Sequence, residues 1–393
     1  MTLPPNLRSI SNPSRSRRLR LIDFWRGISL FAILLIHLPS SRLQLLQWSA
    51  WGFSDGAAVF FFLSGYLGYL ADERIRVREG GAGTWRRTFR RLKGLYLGHL
   101  ILAAVSVASI WALGRFGGKV FPLGRIDSSI SYATAHPILA WLQEASLHMQ
   151  LFCNDILPAF IILSIAATPG YALLRRSMPA FIGASACVWL AVQFIPELNL
   201  PIFGDPAGWV FNVFAWQLLF FGGSVAARFR DRLDGLRRLP ATVWLMLAGF
   251  ILAAGSVTRF ELFPQPYSYY LSLMGPPADS KTKLAPIYLA HAGFVILIGY
   301  GALRNETILD QIPGAAVFES VGRHSLVVFV VSTASIYVSQ AVITGFDLNG
   351  SVVNGLQLLL ATLSLILAGW WGDRRSDALR RLPGPIHRLE RSW

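Results

Sequence analysis

The stretch Asp23-Phe-Trp-Arg-Gly-Ile-Ser-Leu-Phe-Ala-Ile-Leu-Leu-Ile-His37 opens with an acid and a base three residues apart, then runs without charge to a histidine. Apolar character resumes beyond the Pro39–Arg42 turn, so the segment 27–46 is predicted to span a membrane. About 20 mainly apolar residues are what a helix needs to cross a bilayer core of about 30 Å. An ionisable side chain inside such a run costs a few kcal/mol to insert, which makes it a functional candidate by default. At about 1.5 Å per residue, His37 lies some 16 Å beyond Arg26, past the middle of the membrane toward the outer face.

Segments of the same kind recur along the chain, at approximately 51–71, 94–114, 147–171, 178–195, 208–227, 239–256, 284–303, 319–342 and 354–372. The expected fold is therefore all-α: a polytopic membrane protein of about ten transmembrane helices in one bundle. Composition agrees. Hydrophobic residues make up 53% of the 393, charged residues only 15%, and mean hydropathy is +0.47. A soluble domain carries about 25% charged residues, and spanning β-barrels need short alternating segments that are absent.

Charge placement sets the orientation. The first twenty residues carry five arginines and no acid. They resemble the start of a signal peptide, but no small-residue cleavage site follows, so the reading is an uncleaved cytoplasmic tail. With ten spans, the segments expected inside hold 27 of the 36 lysines and arginines, and the outer loops hold seven. Positive residues favour the cytoplasmic side, so both termini are expected there. The expected division is a basic tail at 1–22, a membrane domain at 23–372 and a second basic tail at 373–393. The net charge of +15 is thereby explained by topology and membrane lipids, and no nucleic acid is expected. Two outer loops are long, about 115–146 and 257–283. The first holds an apolar stretch, 138–147, interrupted by Glu144 and suited to lying along the interface. The second could fold over an outward-facing cavity. Cys153 and Cys187 read as buried packing residues.

Several polar groups stand where chemistry can use them. His37 can act as a general base near neutral pH or make an interhelical hydrogen bond. Asp55 opens the second span at a comparable depth and can orient His37 or an acceptor hydroxyl, or cap its helix. Asp23 and Arg26 can pair on one helix face. Arg86, Arg87, Arg90, Arg91 and Lys93 form a basic rim before the third span, suited to lipid headgroups or to the phosphates of a donor such as coenzyme A. His99, Arg323 and His324 belong to the same inner half, and His291 lies about 10 Å into the eighth span from outside. Asn212 and Trp216 share a face of the sixth span. No metal-ligand pattern and no nucleophile elbow is present, so neither a metal nor a bound cofactor is expected.

The spacing of Arg26 and His37 resembles the first-span signature of the acyltransferase-3 superfamily. Phe60-Phe-Phe-Leu-Ser-Gly-Tyr66 is similar to that superfamily's second span, and Arg90-Arg-Leu-Lys-Gly-Leu-Tyr96 to the start of its third. More narrowly, a series of segments resembles the OpgC family, which succinylates osmoregulated periplasmic glucans. They are Leu21–Gly27, Gly52–Ala57, Leu95–Leu100, Asp155–Pro158, Phe211–Leu219, Leu284–His291 and Gly322–Leu326. Leu63-Ser-Gly65 departs from the family pattern, and the tail after Trp371 matches nothing in it.

The resemblance implies an acyltransferase of the bacterial inner membrane. It would move an acyl group, succinyl in that family, from a cytoplasmic acyl-CoA to hydroxyls of a periplasmic glucan. His37 and Asp55 would be catalytic. Asp23, Arg26, Arg90, Arg91, His99, Asn212, Trp216, His291, Arg323 and His324 would bind substrates, with His291 or Asn212 stabilising the oxyanion. Two alternatives stay open: transfer of acetyl or another acyl group to a different envelope glycan, and a transporter or flippase with these residues along its path.

Overall fold

The computed structural model describes residues 14–38, 49, 52–122, 127–195, 197–233, 240, 242–250, 277–302 and 307–381. Among these residues the chain is helical, with no strand. In chain order the helices are α1 (Ser14–Ile36), α2 (Gly56–Gly117), α3 (Asp127–Ala135), α4 (Pro137–Ala145), α5 (Ile156–Arg176), α6 (Met178–Phe194) and α7 (Val213–Arg228). They continue as α8 (Arg230–Leu233), α9 (242–250), α10 (Pro277–Thr282), α11 (Pro286–Ala302), α12 (Thr307–Gln311), α13 (Ala315–Arg323), α14 (Ser325–Gly345) and α15 (Ser351–Arg381).

Four of them, α2, α5, α14 and α15, are long and apolar enough to cross a membrane, and α6, α7 and α11 are shorter apolar helices. Large apolar side chains such as Ile101, Phe194, Met246, Val338 and Leu367 face outward. Apolar surface on this scale is stable only against lipid or protein. The chain is a membrane protein.

The second and third expected spans form one helical element of 62 residues. It is broken at Gly80, whose φ of 70° and ψ of −165° suit a residue without Cβ. The two limbs run in opposite directions along α5. In the first limb Phe61 stacks on Phe160, Tyr69 packs edge-on to Tyr171, and Asp72 meets Arg175 at 2.8 Å, so numbers rise together. In the second limb Thr88 meets Thr168 at 2.7 Å and Ser106 meets Asn154 at 2.9 Å, so numbers rise on one side as they fall on the other.

Small residues let backbones meet. A Cβ on Gly65 would collide with the Phe220 carbonyl, and one on Gly223 with the Phe62 carbonyl, so α2 and α7 cross in direct backbone contact. Gly27 likewise meets the Phe318 carbonyl and Gly322 the Asp23 carbonyl, joining α1 to α13. Such small-residue crossings drive helix association in lipid, where burial of apolar area gives no advantage.

Helix boundaries differ from the expectations. The first helix ends at Ile36, and 39–48 lie outside the described residues. Loop residues precede Ile156 and Val213 where helix was expected from 147 and 208. The ninth span is interrupted at His324. Helix α4 forms as expected, but Glu144 is fully buried while Ile138, Leu139 and Leu142 point outward. The carboxylate accepts a hydrogen bond from the Leu151 N–H and another from Asn154 Nδ2 at 3.3 Å. Cys153 is buried as expected; Cys187 is exposed on its helix.

Candidate functional site

The C-terminal end of α1 and the N-terminal end of α2 meet at a small cavity with about 340 Å³ of empty space in and around it, open solvent included. It is lined by His37, Asp55, Asp155 and Lys281, with Cys153 and apolar side chains that include Ile33, Phe211 and Phe329. Four ionisable side chains from four separate chain segments converge on one opening.

His37 follows the last turn of α1. Its Nδ1 lies 2.6 Å from the Ile33 carbonyl oxygen, which can only accept, so Nδ1 carries the proton. Nε2 is then left with the lone pair, the form a general base needs. The ring packs edge-on to Phe152 at 5.2 Å.

Asp55 does two things at once. As N-cap of α2 it accepts the Ala57 N–H through Oδ1 at 3.0 Å, and the same oxygen accepts the Tyr288 hydroxyl at 3.0 Å. Its Oδ2 lies 2.7 Å from Lys281 Nζ. Lys281 comes from α10, so the end of the second long loop contributes to the cavity lining; residues 251–276 lie outside those described. The ammonium also sits 4.8 Å from the Phe211 ring centre.

His291 stands behind Asp55 rather than in the cavity lining. Its Nδ1 accepts from the Ser54 N–H at 3.2 Å and lies 2.7 Å from Ser54 Oγ, an arrangement that fixes the loop before α2. Asn212 caps α7 by accepting the Phe214 N–H at 3.0 Å, and Trp216 is fully buried, donating to the Lys281 carbonyl at 3.0 Å. Trp216 thus holds the backbone that carries Lys281, and neither residue lines the cavity.

Arg26 lies deeper in the bundle. It donates to Ser325 Oγ, sits 5.6 Å from the Phe60 ring centre and 3.9 Å from Asp23. Its Nε is buried with no acceptor among the described residues. Arg91 faces the same interior: a Cβ on Gly68 would be 3.5 Å from its Nη1 and would also meet the Tyr171 hydroxyl. Its electrostatic neighbours are Arg87, Tyr171 and Arg26. Arg90 is half-buried, Lys93 is exposed, and Arg86 pairs with Glu79 at 3.2 Å on the surface.

The remaining candidates lie elsewhere. His99 is buried and donates through Nε2 to the Glu144 carbonyl at 2.8 Å. Arg323 grips Asp373 at 3.1 and 2.9 Å, and His324 reaches the same carboxylate at 3.0 Å. Glu319 joins this network to Arg20 at 2.8 and 2.9 Å. Glu319 first, and then Asp310, hold the Arg20 guanidinium above its ordinary range. These groups tie α1, α12, α13 and α15 together. Among the described residues, no group of three or more His, Cys, Asp or Glu is placed to hold a metal.

Asp155 and Lys281 were not singled out from sequence. A signal existed for Asp155, an acid inside the expected span 147–171, and intramembrane acids are functional candidates by rule. Lys281 carried none, because an outer-loop lysine is ordinary.

A cavity of ionisable groups at the ends of apolar helices defines a membrane protein with a polar site in its helical bundle. The sequence matches the OpgC protein family over residues 17–377, nearly its whole length, and the chain belongs to that family. Membership points to an acyltransferase related to osmoregulated periplasmic glucans. No curated protein matches the chain, and no solved structure does.

Proposed function

We propose that the chain transfers a succinyl group from a cytoplasmic acyl-CoA to hydroxyls of a periplasmic glucan, by the route of the acyltransferase-3 superfamily. The observation that carries this reading is the His37 ring. Its Nδ1 is tied to the Ile33 carbonyl and its ring lines a cavity with two carboxylates and an ammonium. Both termini lie in the cytoplasm in this reading, as the distribution of lysine and arginine supports.

The acceptor hydroxyl gives its proton to His37 Nε2 as its oxygen attacks the thioester carbonyl. The carbon–sulfur bond then breaks, an ester forms, and the proton passes to the departing thiolate. Lys281 lines the cavity and suits the developing oxyanion better than His291 or Asn212, which do not. Arg26 and Arg91 hold phosphate groups of the donor, since arginine makes bidentate, charge-assisted contacts with phosphate. The buried Arg26 Nε supports this assignment.

Mass spectrometry of cell-envelope glycans with and without the intact gene tests the reading. Loss of the succinyl mass and its negative charge in the deletion strain is expected. Loss of an acetyl mass would change the donor, and unaltered glycans would refute acyl transfer.

A further inference from the structure

We propose that Asp155, rather than Asp55, is the carboxylate that stabilises the imidazolium of His37, an inference that rests on the acyl-transfer reading above. Two carboxylates line the cavity, and their surroundings divide the work between them. Asp55 is committed: one oxygen accepts from Ala57 and Tyr288 and the other binds Lys281. It builds the N-terminus of α2 and fixes the ammonium.

Asp155 occupies the N-cap position of α5, where an aspartate ordinarily accepts a backbone N–H of its own helix. It makes no such bond; its backbone is already helical, with φ −78° and ψ −24°, and its side chain lines the cavity. Asp155 shares the cavity lining with the His37 ring, so an ionised carboxylate there favours any positive charge the ring gains.

The loop that delivers Asp155 is held with unusual care. Buried Glu144 accepts from the Leu151 N–H and from Asn154, and Asn154 donates onward to Ser106 at 2.9 Å. The Tyr337 hydroxyl donates to the Phe152 carbonyl at 2.9 Å, which sets Phe152 against the His37 ring. Leu147 and Cys153 take left-handed φ values of 63° and 65°, conformations that persist only where surroundings impose them. These contacts tie the loop to α2, α4 and α14. They hold the loop that brings the Asp155 side chain into the cavity lining it shares with His37. In the transfer step the carboxylate stays ionised and takes no proton; it offsets the charge His37 gains when it accepts the hydroxyl proton.

The test compares purified full-length wild type, Asp155→Asn, Asp155→Glu and Asp55→Asn, with succinyl-CoA as donor and a glucan as acceptor. For Asp155→Asn a fall in kcat of at least about 10²-fold is expected, with KM for both substrates within about threefold. Its thermal midpoint should stay near wild type. Asp155→Glu should recover a clear part of kcat because it restores the charge, whereas Asp55→Asn should lose thermal stability. The inference fails if Asp155→Asn keeps more than a tenth of wild-type kcat, or if Asp155→Glu is no more active than Asp155→Asn. A wild-type protein that transfers no acyl group would instead bring down the reading on which the inference rests.

Discussion

The ammonium of Lys281 lies 2.7 Å from Asp55 Oδ2, joining the short helix α10 to the N-terminus of α2 at the edge of the cavity. The Asp55 side chain is 10% exposed and that of Lys281 28%, so the carboxylate is the group that suffers if the pair is broken. Removing one partner of a buried pair costs about 3–5 kcal/mol. Because Lys281 is partly solvated, Lys281→Met should cost about 3 kcal/mol, at the low end of that range. Adding Asp55→Asn should recover part of the loss, since asparagine still accepts the Ala57 N–H without a charge. Thermal unfolding of the solubilised variants measures both. A double variant no more stable than Lys281→Met would show that the pair is not the source of the cost.

His37→Gln keeps a polar side chain of similar reach but cannot take a proton near neutral pH. It should insert and fold nearly as wild type does while losing about 10²–10⁴-fold in transfer rate. His324→Gln should lose less, because His324 is bonded to Asp373 away from the cavity. A well-folded His37→Gln protein with more than a tenth of wild-type turnover would remove His37 as the base.

Arg91→Gln should raise the donor KM. Each lost charge-assisted contact is worth about 1.5–3 kcal/mol, or roughly 10- to 150-fold. Arg86→Gln should change the donor KM little, since Arg86 is on the surface and paired with Glu79. Equal effects of the two substitutions would mean that the basic rim acts through general surface charge rather than through a site.

Gly65→Ala should destabilise the protein by about 1–3 kcal/mol, the range for forcing a methyl into a packed contact, because its Cβ would overlap the Phe220 carbonyl. Gly222→Ala meets nothing within 4 Å and should be neutral or stabilising by up to about 1 kcal/mol. Thermal midpoints of the two variants check the contrast; a harmless Gly65→Ala would argue against direct backbone contact between α2 and α7.

Two of the four ionisable groups that line the cavity, His37 and Asp55, were legible along the chain because position along an apolar run is a one-dimensional property. Apolar runs placed helices, and the isolated His37 and the acid at Asp55 stood out within or beside them. Helix ends were less legible. Whether helix continues through 74–93, or loop occupies 148–155, depends on local capping and on partners distant in sequence. Gly80 carries the break at the first place, and Glu144, Asn154 and Tyr337 hold the second.

The sequence by itself determined an all-helical membrane protein, the candidates for its chemistry and a resemblance whose family the whole-chain match establishes. Only the tertiary structure decided which polar groups meet. His37, Asp55, Asp155 and Lys281 line one cavity, while Asn212, Trp216 and His291 support its walls and Arg323 and His324 bind Asp373. The physical reason is that hydropathy gives a residue's depth but not the azimuth of its helix face. That azimuth comes from crossings such as Gly65 with Phe220 and Gly27 with Phe318, which are set by the shapes of residues far apart in the chain.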